Sequence, residues 1–341
     1  MIITKTLSLK AIYEFTGHQL FWLTGWMTLV TLLYYFTGWK ILAFPSLPLP
    51  LIGTAVAFYV GFKNNQSYDR LWESRKIWGE ITNTSRILAS TVKNYHSGEP
   101  NAKNRKAVRR QIVFRHIAYL YQLREQLLEP AEWEHVSPTR SWLVGHKNWE
   151  RRAYLNGRFK AELDSISMEK YLPEQELLSL ECRTNKATHL LDTQAGVIQR
   201  LFDGKVINMI QQIELQGSIS SLHSHQGRLE RIKQSPFPRK YATYSFLFVC
   251  IFIFFLPFGM IGEFRNWGQA GIWLSIPVGT IIGWIFVAME MIGDYSENPF
   301  EGLHNDIPML AICRGIEIDM LEMIGEKNIP SPIEAKGQTL L

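Results

Sequence analysis

Four long runs without a charged residue constrain the fold of this chain more than any property averaged over its 341 residues. They cover residues 15–39, 41–62, 241–262 and 266–289. Each is longer than the roughly 20 apolar residues that a helix needs to cross a bilayer core. Buried helices of a soluble protein are the alternative, but such helices are usually shorter and carry a polar stripe. The sequence therefore predicts four transmembrane helices.

Basic residues predict how these spans are oriented. Lys40 and Arg265 are the only basic residues in the two short connections between paired spans, whereas Lys and Arg are frequent between residues 63 and 240. Because basic segments remain in the cytoplasm, we expect a multi-pass protein of the plasma membrane with both termini cytoplasmic. The predicted organisation begins with a cytosolic N-terminal segment (residues 1–19) and spans one and two (20–63). A helical cytosolic domain (64–240), spans three and four (241–292) and a cytosolic C-terminal segment (293–341) follow.

The segment between the two pairs of spans has the pattern of a helical domain. Apolar residues recur at spacings of three and four, and no sustained alternation typical of strands occurs. The basic run at residues 102–116 is typical of a solvated helix face or of a face near anionic lipid or a partner subunit. Nucleic acid is not predicted as a partner, because no recognition motif accompanies these charges.

Signatures of catalysis and of cofactor or metal binding are absent from the sequence. It contains no phosphate-binding loop, no dinucleotide fingerprint and no zinc-protease or nucleophile-elbow motif. His223 and His225 are two residues apart, and this spacing points their side chains in different directions on a helix. The four runs also lack the acidic and basic residues that a membrane enzyme or carrier would use. We therefore predict no enzyme, no cofactor and no metal site.

Three sequence blocks form a combined signature along the chain. The first, GFKNNQSYDRLWESRKIWGEI from residue 61, continues directly from the second run, and its characteristic residues are Phe62, Asn65, Tyr68, Arg70, Trp72, Glu73 and Arg75. The second block contains Asn298, Pro299 and Phe300 after the last run, and the third is SPFPRKY before the third run. In their order along essentially the whole chain, these blocks resemble the bestrophin family of pentameric ion channels. The resemblance implies an all-α membrane protein that assembles as a homopentamer around a central pore.

The resemblance also implies a pore neck on the second span. Thr54, Phe58 and Phe62 recur every four residues, a spacing that drifts only about 40° per step around a helix. Asn65 returns towards the same face. Aromatic residues that only pack against neighbouring helices, without lining a pore, would show the same spacing. Five copies would instead form stacked apolar rings, which can gate ions by dewetting.

Two further elements of the family have weaker counterparts here. A second constriction in the cytosolic domain would fall near Val206, Ile210 and Ile213, which fit one apolar face of a helix. We assign the constriction to Ile210, although core packing explains the same residues. Animal members hold calcium in an acidic run beside the Asn-Pro-Phe element, but only Glu301 and Asp306 are acidic here. Calcium prefers six to eight oxygen ligands, which these two carboxylates do not supply, so calcium gating is not expected. Asn298 and Asp306 indicate helix-capping and turn roles instead.

The sequence thus predicts a channel that passively conducts small monovalent ions. Anions such as chloride are favoured, because phenylalanine edges carry partial positive charge and the cytosolic domain is basic. A cation channel of the same family and a non-conducting membrane scaffold or sensor remain the alternatives. The permeating ions, the lipid bilayer and other copies of the chain are the expected partners.

Overall fold

The computed structural model describes residues 1–43, 45, 47–94, 102–137 and 144–341, with only the backbone of 102–104 and 144–147. These residues are predominantly helical, as predicted. They contain no β-strand beyond the isolated bridges Ile2–Thr339 and Lys336–Thr339. The described helices are α1 Leu9–Ile12, α2 Gln19–Thr37, α3 Pro48–Asn94, α4 Ala102–Leu128, α5 Val144–Arg158, α6 Lys160–Asp164, α7 Glu174–Glu181, α8 Lys186–Asp203, α9 Met209–Gln234, α10 Arg239–Phe264, α11 Gly268–Ser296 and α12 Met309–Ile324.

The chain forms two compact units. The apolar unit comprises residues 4–70 and 236–298, and the body unit comprises residues 1–3, 71–235 and 299–341. Helix α3 contributes its first part to the apolar unit and the remainder to the body unit. Gly38 and Gly325 end α2 and α12 with positive φ angles of 64° and 74°, a conformation that residues with a Cβ rarely adopt.

The apolar unit is a bundle of α2, α10, α11 and the first part of α3. Helix α11 packs against both α2 and α10. Its small residues Ser275, Gly279 and Gly283 are all buried. A methyl group on Gly279 would overlap the side chain of Met27, and the Ser275 hydroxyl lies 3.2 Å from that of Thr31. The ladder of small residues therefore allows close contact between α11 and α2, as expected for helices packed in lipid.

Two stretches of described helix are long and apolar enough to cross a membrane. They are Gln19–Thr37 and Arg239–Ser296, and the second contains both the third and the fourth charge-free run. The second charge-free run enters α3 at Pro48, so its residues 48–62 form the start of a helix that continues into a charged sequence.

The body unit is built around α4. This helix packs against α8, α9 and α12, and α8 also packs against α9. Residues such as Ile112, Ile117 and Leu120 are fully buried between them. The end of the chain is held against the same unit, because the backbone N–H of Ala311 donates 2.8 Å to the Leu341 carbonyl and that of Ile3 donates 3.0 Å to the Gln338 carbonyl.

Candidate functional site

One stripe of α3 in the apolar unit is left uncovered by the rest of the protomer. Its residues are Thr54, Phe58, Phe62, Asn65 and Asp69, all of them exposed. At about 100° per residue they fall within about 80° of the helix circumference. Phe58 is 80% exposed and Phe62 is 48% exposed. The structure therefore brings together the four residues predicted at the neck and adds Asp69 to the same face.

The opposite side of this helix segment is buried. Val56, Val60 and Lys63 are almost fully inaccessible, and Gly53 is so close to α10 that a Cβ there would lie 3.0 Å from the Phe252 ring. These residues lie roughly 140–160° around the helix from the centre of the exposed stripe. Burial on one side and exposure on the other fix which face of α3 is available to other molecules.

Local contacts shape the exposed stripe. The Thr54 hydroxyl donates a 2.8 Å hydrogen bond to the Pro50 carbonyl of its own helix, which satisfies its only donor. The Phe62 ring lies 6.1 Å from the Tyr241 ring, and Tyr241 in turn stacks on Tyr59 at 6.3 Å. Phe62 is thus braced by neighbouring aromatics, whereas Phe58 projects further from the protomer.

A buried polar cluster lies directly behind the stripe, and the sequence patterns did not reveal it. The Lys63 ammonium donates to Oε1 of Glu290 at 2.5 Å, and the Ser245 hydroxyl donates to Oε2 of the same carboxylate. Asp294 lies 3.9 Å from the Lys63 ammonium. The next residue, Asn64, donates 3.0 Å to the Met289 carbonyl. In the sequence, Lys63 and Glu290 are simply the first charged residues after the second and fourth charge-free runs, but the fold pairs them.

The remaining signature residues of the first block have different environments. Tyr68 is exposed and Arg70 is half-buried. Glu73, which belongs to the body unit, accepts a 3.0 Å hydrogen bond from Arg231.

The Asn-Pro-Phe element and the residues after it are buried. Asn298 is the last residue of the apolar unit, and Pro299 and Phe300 begin the last of the three segments of the body unit. Glu301 is buried and accepts a 2.6 Å hydrogen bond from the backbone N–H of His135, whose Nδ1 lies 3.1 Å from the same oxygen. The carboxylate is therefore engaged within the body unit.

Asp306 has a turn role. It accepts a 3.0 Å hydrogen bond from the backbone N–H of Leu303 and is almost completely buried. Burial and the nearby Glu301 carboxylate raise the pKa of Asp306 to about 7. No group of three or more His, Cys, Asp or Glu side chains in the described part of the chain could hold a metal ion.

Ile210 lies on the surface of the protomer rather than in its core. It is 76% exposed, and Ile213 is also exposed. Val206, by contrast, precedes α9 and packs against the core of the body unit. The three residues therefore do not share one helix face, because the helix begins only at Met209. His225, the second histidine of the pair noted in the sequence, lies 3.1 Å from the Glu80 carboxylate.

Comparison with known proteins gives a consistent family. The family model described as "Bacterial/Fungal Bestrophin protein" matches residues 10–322. Voltage-dependent anion channel-forming protein YneE of Escherichia coli K12 is 25% identical over 292 residues, which cover 85% of this chain and 80% of that protein. Voltage-dependent anion channel-forming protein alr2987 of Nostoc is 28% identical over 269 residues, which cover 77% and 74% of the two chains.

A solved structure shares the fold. The crystal structure of a bacterial bestrophin homolog from Klebsiella pneumoniae superposes with a TM-score of 0.73 at 21% identity, and the match covers 91% of this chain and 99% of that one. The names of these relatives support an ion channel in a membrane and not an enzyme. Because the family model matches most of its length, the chain belongs to the bacterial and fungal bestrophin family.

Proposed function

We propose that the chain forms a membrane channel that passively conducts small monovalent ions through an apolar neck lined by Thr54, Phe58 and Phe62. The observation that carries this proposal is the exposed aromatic stripe of α3, which one protomer leaves uncovered while it buries the opposite side of the helix. Large exposed apolar patches of this kind mark surfaces that face another molecule or a membrane. A ring of copies around a common axis would place the stripe at its centre.

The assembly we propose is a homopentamer with four transmembrane helices, formed by α2, the first part of α3, α10 and α11. Both termini and the body unit lie in the cytoplasm in this arrangement. The Klebsiella homolog supports the fold of the protomer. Stoichiometry and topology rest on the family resemblance and on the distribution of basic residues.

Anions such as chloride are the favoured permeating ions. The curated relatives carry names of anion channel-forming proteins. Phenylalanine rings that point their edges into the pore present partial positive charge to a passing ion. The Asn65 amide, next to the neck on the same stripe, can donate hydrogen bonds to an anion.

One observation favours cations instead. Asp69 is exposed on the same stripe, one turn beyond Asn65, and has no ion-pair partner among the described residues. A ring of carboxylates attracts cations into a pore. Cation conduction is therefore the second candidate function.

Flux through liposomes tests the proposal. Full-length protein would be reconstituted, its oligomeric mass measured in detergent, and chloride and sodium fluxes recorded under salt gradients. We expect chloride permeability from pentamers, with reversal potentials that follow the chloride gradient. Reversal potentials that follow the sodium gradient would support the cation-conducting alternative. Intact oligomers without permeability to either ion would contradict the channel and support a non-conducting scaffold or sensor.

Ile210 is proposed as a second constriction in the cytosolic part of the pore. The proposal is supported by the position of Ile210 at the start of α9, where the rest of the protomer leaves its side chain exposed. Ile210→Ala should increase conductance, whereas Leu178→Ala, which truncates an exposed apolar residue of α7, should leave conductance unchanged.

A further inference from the structure

The buried cluster behind the neck stripe joins three helices of the apolar unit. Lys63 comes from α3, Ser245 from α10 and Glu290 from α11. The Lys63 side chain is 1% exposed, and its ammonium lies 2.5 Å from Glu290. Ser245 occupies the second carboxylate oxygen, so both oxygens of Glu290 have a donor. The arrangement is a buried ion pair whose carboxylate accepts an additional hydrogen bond from Ser245.

Asn64 adds a second attachment between α3 and α11. Its amide donates 3.0 Å to the Met289 carbonyl, which precedes Glu290. Gly293, one turn further along α11, faces the same side chain, and a Cβ at Gly293 would overlap the Asn64 amide oxygen. Two consecutive residues of α3 are therefore fixed to one short segment of α11.

The position of Lys63 relates this cluster to the neck. It follows Phe62 directly, so the two side chains point about 100° apart around α3. Measured from Phe58, the middle residue of the exposed stripe, the separation is about 140°. A rotation of α3 that moved Phe58 and Phe62 off the exposed face would pull Lys63 away from Glu290.

Apolar packing alone defines the rotation of such a helix poorly. Valine and phenylalanine side chains can be repacked against neighbouring helices with modest energetic differences. An ion pair buried away from water tolerates no such change, because either charge left alone would be strongly unfavourable. Buried polar pairs are best attested as devices that select one registry among several.

We infer that the Lys63–Glu290 pair is a positioning device that holds α3 in the rotation that presents Phe58 and Phe62 to the pore. This inference rests on the proposed function, since it assumes that the stripe lines a conducting path. It assigns to Lys63 and Glu290 a role in setting the neck without contact to the permeating ion.

Accessibility of single cysteines measures the rotation without any conduction. The exposed cysteines Cys182 and Cys250 would be replaced by serine in the full chain, and the buried Cys313 would be kept. A cysteine is then placed at Phe58 or at Val60, and its rate of reaction with a charged methanethiosulfonate is measured in liposomes. We expect the cysteine at position 58 to react rapidly and the one at position 60, on the buried side, to react slowly.

Substitutions of Lys63 or Glu290 should change the ratio of the reaction rate at position 58 to that at position 60. Lys63→Met is expected to lower the ratio at least about tenfold, because the helix would populate other rotations. The exchange Lys63→Glu with Glu290→Lys should restore most of the ratio when it is combined with Asp294→Asn, because Asp294 lies 3.9 Å from the Lys63 ammonium and would otherwise repel a carboxylate there. Lys240→Met removes an exposed lysine near a span of the same unit and should leave the ratio unchanged.

The double variant Lys63→Met with Glu290→Met separates positioning from simple packing. It leaves no unpaired buried charge, so it should fold and melt like the native protein even if Lys63→Met alone does not. We expect the ratio of the reaction rates at positions 58 and 60 to fall in this variant, and its ion flux to differ from that of the native protein. A native ratio in this variant would overturn the inference, whereas a native protein that shows the ratio but conducts no ion would overturn the proposed function.

Discussion

Asp306 accepts a 3.0 Å hydrogen bond from the backbone N–H of Leu303 and closes a buried turn soon after the Asn-Pro-Phe element. Burial and Glu301 raise the pKa of Asp306 from its ordinary value of 3.8 to about 7. Between these values the folded chain holds a proton that the unfolded chain has released. The free energy of unfolding therefore falls as pH rises, by up to about 1.4 kcal/mol per pH unit from this residue.

Asp306→Asn should remove this contribution. We expect the variant to lose less stability than the native protein when the pH is raised from 5 to 8, measured as thermal melting in detergent. Asp192→Asn, at an exposed position of α8, is the control. Equal pH dependence of the native protein and Asp306→Asn would show that Asp306 is ionised in the folded state throughout.

The neck assignment predicts a large effect of truncating Phe58 and Phe62 on ion flux and only a small effect of truncating Phe58 on stability. Phe58→Ala together with Phe62→Ala should raise ion flux or remove gating, because the dry constriction becomes wider. Phe58 contributes little to the fold of the protomer, since it is 80% exposed there. Phe246→Ala, which truncates an exposed phenylalanine of α10, should leave flux unchanged. Unaltered currents in the double variant would remove Phe58 and Phe62 from the neck.

The sequence predicted those features of the fold that depend on local periodicity. The four-residue spacing of Thr54, Phe58 and Phe62 placed them on one face, and the structure leaves that face exposed. The small residues Ser275 and Gly279 are four positions apart in the sequence, a spacing that permits close helix packing, and both are buried, with Gly279 against Met27 of α2. Such patterns are readable because neighbours on one helix face are fixed by helix geometry alone.

Features that depend on contacts distant in sequence were not predictable in the same way. Lys63 and Glu290 are separated by 227 residues, and nothing local reveals that they form a pair. The grouping of Val206 with Ile210 failed for a different reason. Asn208 and Gln211 form a capping box that starts α9 after Val206, and this signal was present in the sequence.

A buried polar hub should determine the stability of the body unit. The hydroxyls of Tyr121 and Tyr171 each donate a 2.6 Å hydrogen bond to Glu317, and Arg314 lies 3.2 Å from the same carboxylate. Glu317→Ala would leave the arginine without its buried partner and should lower the free energy of unfolding by about 3–5 kcal/mol. Tyr171→Phe removes one hydrogen bond and should cost about 1 kcal/mol.

Denaturant unfolding of the full chain in detergent would measure these differences. Glu322→Ala, at an exposed position of the same helix α12, is the matched control. A loss in Glu317→Ala no larger than that in Glu322→Ala would contradict the role of Glu317 as a hub.

Asp69 provides the clearest test of ion selectivity. Its carboxylate lies on the exposed stripe beyond Asn65, so a ring of copies would oppose anions and attract cations. A single carboxylate interacts with an ion about 4 Å away in water by about 1 kcal/mol, which corresponds to roughly a fivefold change in relative permeability. Asp69→Asn should therefore raise the permeability to chloride relative to sodium by about this factor, measured from reversal potentials under salt gradients. Asp69→Glu keeps the charge and should keep the native ratio. An unchanged ratio in Asp69→Asn would place this carboxylate away from the conducting path and would remove the structural support for cation conduction.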